Sequence, residues 1–172
     1  MILRLAAGVA TLGLVAVGPS GTLDAQRQGG TAAQTSPQVR PKAAPAGPLP
    51  PLPYEGYPAS RPMQVVQAVY EFAARHPEVL SYMPCFCGCD RSAGHRANHD
   101  CFVKRRDATG RVVEWDSHGY GCAVCIDVAR DSMQMYNSGA SMASIRTAID
   151  TKYGSRFPAT MQTPKPPATA TK

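Results

Sequence analysis

The sequence predicts a small α+β domain, mainly α, of about three helices and one β-hairpin, set between disordered N- and C-terminal tails. Three observations predict it. Apolar residues recur at helical spacing in three separate stretches. A single turn, Asp107-Ala108-Thr109-Gly110, separates two short runs, Phe102 to Arg106 and Arg111 to Trp115, that suit a hairpin. Residues 26–53 and 163–172 are rich in Pro, Ala and Thr and poor in large apolar residues.

Residues 1–25 read as a signal peptide. Arg4 supplies the positive start, Leu5 to Val17 is apolar and uncharged, and Pro19, Ser20 and Gly21 break the run. The run is short for a transmembrane helix. A cut after Ala25 fits, and retention as an uncleaved membrane anchor is the alternative. The expected location is therefore exported: periplasmic or extracellular, with membrane contact only through an uncleaved signal segment. Residues 26–53 read as a disordered tether, since their composition cannot bury enough surface to offset ordering entropy. Residues 54–158 form the expected domain, and residues 159–172 a disordered tail.

Within the domain, Pro62 opens a helix whose apolar positions are Val65, Val66, Val69, Tyr70 and Ala73, ending near His76-Pro77. A turn over 78–83 leads into the cysteine run, and 89–100 reads as a polar loop. After the hairpin and a second loop, 116–121, a helix spans Cys122 to Asn137 and closes at Ser138-Gly139. Cys122, Cys125, Ala129, Met133 and Tyr136 share one face of it, taken as the inward face. Ser141 caps a last helix with Met142, Ile145, Ala148 and Ile149 as its apolar positions, and Gly154 ends it. Trp115 is expected to pack the hairpin against the helices.

The net charge is +6, yet the segment 54–158 carries twelve Lys and Arg against eleven Asp and Glu. The excess lies in the ends, and no basic stripe with interleaved aromatics is present, so nucleic-acid binding is not expected. No nucleophile elbow, phosphate loop or helical H-E-x-x-H occurs. Asp90, Asp100, Asp116 and Asp127 are scattered, and no two of them read as a general acid and base.

Sulfur carries the chemistry. All six cysteines fall between Cys85 and Cys125, with His95, His99 and His118 in the same window. In an extended segment Cys85, Cys87 and Cys89 would face one side, with Phe86 turned the other way. A bridge between residues two apart closes a strained ring, so this crowding suits the gathering of an ion better than stapling. Cys122 and Cys125 begin a helix, where unpaired N–H groups and the dipole favour thiolate. Soft thiolates select Cu(I), Zn²⁺ or iron–sulfur clusters. Six sulfurs exceed the four of one tetrahedral zinc, and an exported setting favours copper, with zinc next. The candidate metal ligands are Cys85, Cys87, Cys89, Cys101, Cys122 and Cys125, with His118, His95 and His99 as imidazole donors and Met83 as a thioether.

Other readings of the same residues stay open. Export favours disulfides, and six cysteines allow 15 connectivities. A mixed state of bridges plus metal is another, and His95 and His99 also fit solvated loop positions. A thiol–disulfide oxidoreductase would place C-x-x-C after a strand in a βαβ unit. Here Ser117-His118-Gly119-Tyr120-Gly121 precedes it, so the enzyme reading leans towards no.

The string MPCFCGCDRSAGHRANHDCFVK, Met83 to Lys104, resembles the PCYCGC-motif proteins, a family of exported bacterial proteins and lipoproteins. The resemblance runs from about Leu80 to Phe157, through Trp115, the GCAVC pair and the IRTAIDTKYG helix. Phe86 stands where the family name has Tyr. The lipobox cysteine of the lipoprotein members is missing, which implies a soluble or signal-anchored form. By matching residue, the resemblance makes Cys85, Cys87, Cys89, Cys101, Cys122 and Cys125 the motif cysteines.

Overall fold

Pro62 caps the first helix, α1 (Met63–Arg75), in an extended conformation with φ −51° and ψ 139°. The ring fixes φ and the missing N–H is not needed there. The computed structural model describes residues 47–53, 58–157 and 163–167, all within the unit Gln38–Lys172. The expected signal peptide and most of the expected tether lie outside the described residues.

α1 buries Val66, Val69, Tyr70, Phe72, Ala73 and Ala74 and stops before Pro77, which disfavours helical backbone at His76. Pro77 then opens the single turn α2 (Pro77–Leu80). Further along come α3 (Cys89–Ala93) and a 3-10 turn, Asn98–Cys101. β1 (Val103–Arg106) and β2 (Val112–Trp115) pair antiparallel, with Val103 opposite Trp115 and Arg106 opposite Val112. The single turn α4 (His118–Gly121) precedes α5 (Ala123–Asn137) and α6 (Met142–Gly154). The fold is mainly helical with one hairpin, as the sequence predicts; α1, α5 and α6 are the three expected helices. The single-turn helices fall where loops and a turn were expected, because one turn is too short to show a period.

The hairpin turn closes as its residues dictate. Asp107 accepts from the Thr109 and Arg111 backbone N–H groups, and Gly110 takes φ 88°. α5 ends in a Schellman motif: Ala140 N–H bonds Met135 O at 3.0 Å and Gly139 N–H bonds Tyr136 O at 3.0 Å, with Gly139 left-handed. The Ser141 hydroxyl accepts from the Ser144 N–H at 3.2 Å, the expected cap of α6.

α5 is the central helix, packed by α1 and by α6. Its buried positions are Cys125, Ile126, Val128, Ala129 and Ser132. This corrects the expected inward face: two partners bury a wider arc, while Cys122, Met133 and Tyr136 sit at its half-buried margin. Tyr70 of α1 meets Phe102 and Trp115 edge-on at 5.1 and 5.5 Å, which seats the hairpin on the helices. Arg106 adds a second tie, donating to the Ala73 and Ala74 carbonyls at the end of α1 at 3.1 and 2.8 Å.

Parts of the expected tails are docked. Leu49 and Leu52 pack on the core, and the Trp115 indole N–H donates to Pro50 O at 3.0 Å. The buried Arg146 donates to the carbonyls of Tyr82, Thr163 and Pro164 at 2.7, 3.3 and 3.0 Å, which holds 163–164 along α6. Among the described residues, no helix is long and apolar enough to cross a membrane.

Candidate metal centre

The cysteine run does not stay extended. Cys85 and Phe86 leave α2 as irregular chain, Gly88 takes φ 82°, and Cys89 begins α3. A left-handed residue at 88 turns the chain sharply, and glycine adopts it without a Cβ clash. The sulfurs still gather: Cys85 Sγ lies 2.9 Å from Cys87 Sγ, which lies 2.7 Å from Cys89 Sγ. Phe86 does turn elsewhere, packing on Tyr153 of α6 at 5.8 Å between ring centres.

Two remote segments close on this run. Cys101, the last residue of the 3-10 turn, brings its Sγ to 3.5 Å from Cys85. Cys125, in the first turn of α5, lies 3.6 Å from Cys85 and 3.4 Å from Cys87. One sulfur from each of Cys85, Cys87, Cys101 and Cys125 falls within 4.8 Å of every other. Four sulfurs held at the zinc–thiolate length of about 2.3 Å would be about 3.8 Å apart; the 3.4–3.6 Å contacts come near that spacing, while the 2.9 Å Cys85–Cys87 contact would have to widen. All six cysteines are free, so the disulfide-stapled alternative is not what the structure shows. The cluster can hold a metal ion.

Asn98 aligns these pieces. Its backbone N–H donates to Met83 O at 2.8 Å, and its side-chain Nδ2 donates to Cys125 O at 3.2 Å. The residue is fully buried and so ties the start of the cysteine run to α5. Its Oδ1 is buried without a partner. Gly119 sets the other side. A Cβ there would stand 2.5 Å from the Phe102 ring and 2.8 Å from Cys101 O, so the approach of α4 to Cys101 requires glycine.

Protons are unevenly shared across the thiols. Hydrogen bonds from Cys101, then from Cys122, Cys125 and Cys85, hold Cys87 far below the ordinary thiol range. Bonds from Cys101 and Cys125 lower Cys85. The bonds that Cys101 donates to Cys125 and Cys85 raise it well above that range. Cys125 accepts from Cys101, but its bonds to Cys122, Cys85 and Cys87 outweigh this and push it up. Cys122 is drawn down by Cys125, yet Cys87 and burial push it up to about 11. This corrects the expectation of thiolates at the start of α5. Ionisation is thus favoured at Cys85 and the exposed Cys87 and disfavoured at the buried Cys101 and Cys125. A metal ion would have to expel the thiol protons, so its affinity would rise with pH.

The histidines separate. His95 is buried; its Nδ1 lies 3.5 Å from Cys101 Sγ, and Cys89, His95 and Cys101 make a second set of close donor atoms. Its Nε2 lies 3.5 Å from Asp116 Oδ2. His118 is more exposed, with Nδ1 2.7 Å from Asp116 Oδ1. His99 faces away from the sulfurs: Nδ1 meets Asp100 at 3.3 Å and Nε2 meets Arg106 at 3.3 Å. Among the described residues no close group of three donor atoms includes His99. Arg106, anchored on the end of α1, draws that ring towards the hairpin. Cys122 caps α5 outside the four-sulfur set. Met83 is fully buried in the core.

Sequence reasoning missed Asn98 and Asp116. The Asp116-Ser117-His118 spacing was a usable signal for Asp116, because a carboxylate two residues before a histidine can bond its ring. Nothing local marks Asn98, whose partners are 15 and 27 residues away.

No curated protein and no solved structure matches the chain. A family model described as a protein of unknown function with PCYCGC motif matches residues 9–166. The match reaches well beyond the stretch that carries the resemblance, with Pro84-Cys85-Phe86-Cys87-Gly88-Cys89 as the motif. The chain therefore belongs to the PCYCGC-motif family.

Proposed function

We propose that this protein holds a thiophilic transition metal outside the cytoplasm, copper first and zinc next, in the site built from Cys85, Cys87, Cys101 and Cys125. The observation that carries the reading is convergence: four sulfurs from three separate segments meet within 4.8 Å. Cys89 and His95 border the set through Cys101 and offer further donors to the same ion or to a neighbouring one. Copper(I) is preferred because soft, low-coordinate copper suits a sulfur-rich site in an exported protein. The 3.4–3.6 Å spacings keep zinc as the competitor. The leader pattern at Arg4 and Leu5 to Val17 supports the exported location.

Metal content and free thiols, measured in parallel on protein purified anaerobically, test the reading. Near-stoichiometric copper or zinc, lost in Cys87→Ser, is expected. No metal together with no free thiols would defeat it and leave a disulfide module.

One observation favours a second reading. Cys87 is exposed and has three neighbouring sulfurs within 3.4 Å, and hydrogen bonds from surrounding thiols favour its ionised form, as suits a thiol–disulfide exchanger. A reduction potential within about −120 to −270 mV would support exchange, and one below about −300 mV would oppose it.

A further inference from the structure

Asp116 was not among the expected ligands, yet it stands at the centre of a second donor group. Its Oδ1 accepts from the His118 backbone N–H at 2.9 Å and faces His118 Nδ1 at 2.7 Å. Its Oδ2 faces His95 Nε2 at 3.5 Å. The two imidazoles meet edge-on with centres 5.0 Å apart. One donor atom from each of His95, Asp116 and His118 lies within 4.8 Å of the others. His95 and Asp116 are 7% and 9% exposed, so the group is largely fixed by packing. Its outer side opens into a cleft of about 440 Å³, lined also by Arg96, Lys104 and Trp115.

The chemistry differs from that of the sulfur cluster. Two imidazoles and one carboxylate form a borderline N/O set, suited to divalent zinc or copper. Three protein donors beside an open cleft leave coordination positions for water or an incoming ligand, as open zinc sites do. The groove-side cations do not fill the position. Lys104 pairs with Glu114 at 2.7 Å and Arg96 with Asp100 at 3.2 Å. His95 joins the two groups, with Nδ1 towards Cys101 and Nε2 towards Asp116.

We propose that His95, Asp116 and His118 form a second cation site for a borderline divalent metal, separate from the thiolate site and open to the cleft. The inference goes beyond the thiolate reading and does not require it.

Anaerobic titration of the reduced full chain with Co²⁺, followed by optical absorption and repeated with Zn²⁺ by calorimetry, tests it. Two bound ions are expected. One shows sulfur-to-cobalt charge transfer, and the other shows ligand-field bands without it. His118→Ala, at a largely exposed position, should abolish the second and leave the first. Asp116→Asn, which removes the one carboxylate ligand, should weaken the second by more than the about 10-fold that loss of an outer-shell partner costs. Cys87→Ser with Cys125→Ser should remove the charge-transfer ion and keep the other. A single ion with charge transfer, unaffected by His118→Ala, overturns this site and leaves the thiolate reading intact. Two ions that both show charge transfer also overturn it. A single ion without charge transfer, lost in His118→Ala, upholds it and defeats the thiolate reading.

Discussion

Replacing Gly119 by alanine probes how the fold places Cys101. The added Cβ would stand 2.5 Å from two atoms of the Phe102 ring and 2.8 Å from the Cys101 carbonyl oxygen. Carbon atoms pack at about 3.5–4.0 Å, so the neighbours must give by about 1 Å. Neither yields easily. Phe102 is fully buried against Tyr70, and Cys101 O is backbone. Overpacking of this kind costs about 1–3 kcal/mol, and the rigid backbone neighbour places it at the upper end. Alanine regains at most about 1 kcal/mol of helix propensity. The net expectation is a loss of about 2 kcal/mol, or about 8–16 °C in Tm for a domain of this size. Gly121 is the control, since it lies in the same short helix with nothing within 4 Å of its Cβ position. Gly121→Ala should be neutral or slightly stabilising. Urea unfolding followed by circular dichroism measures both, and metal competition with a chromophoric chelator reads the effect on the site. Gly119→Ala should also weaken metal binding, because relief of the clash moves Cys101. Equal stability of the two variants would refute the argument that α4 is pressed against Cys101.

Other outcomes follow from the same geometry. Cys125→Ser removes a sulfur of the four-sulfur set and should abolish bound thiolate-ligated metal, whereas Cys122→Ser should retain the stoichiometry; metal analysis of the two variants compares them. Arg146→Met should cost about 2–3 kcal/mol, since it strips charged hydrogen bonds from the carbonyls of Tyr82, Thr163 and Pro164. Limited proteolysis should then cut sooner near residue 163. Burial pushes the Asp131 carboxyl up, but bonds from Lys152 and Tyr153 outweigh it and hold it below its ordinary value. Its contribution to stability is thus fully present above about pH 4 and is lost as the pH falls through its lower folded value. Asp131→Asn should flatten the acid limb of a stability–pH curve.

Several elements could be read before any coordinates. Val66, Val69, Tyr70 and Ala73 mark α1 because their spacing is the helical period, and all four are buried. Asp107 to Gly110 mark the hairpin through local turn chemistry, and Ser141 marks a cap through one local bond. The site was legible as a set of sulfurs and illegible as an arrangement. Cys101 and Cys125 reach Cys85 through long-range ties, the bonds of Asn98 and the bare backbone of Gly119, which no local pattern encodes. His99 and His95 look alike in sequence, both in a polar loop. Arg106 draws one ring towards the hairpin, while Cys101 and Asp116 hold the other. Composition also concealed the docking of residues 47–53, because two leucines and one carbonyl for Trp115 are enough to seat a proline-rich segment.

X-ray absorption at the metal edge tests the central claim most directly, on the full chain loaded anaerobically with one equivalent of copper(I) or zinc. The account predicts a first shell dominated by sulfur at about 2.3 Å, lost in Cys125→Ser. A shell of nitrogen and oxygen alone, or no retained metal in a protein whose thiols are all free, would contradict it.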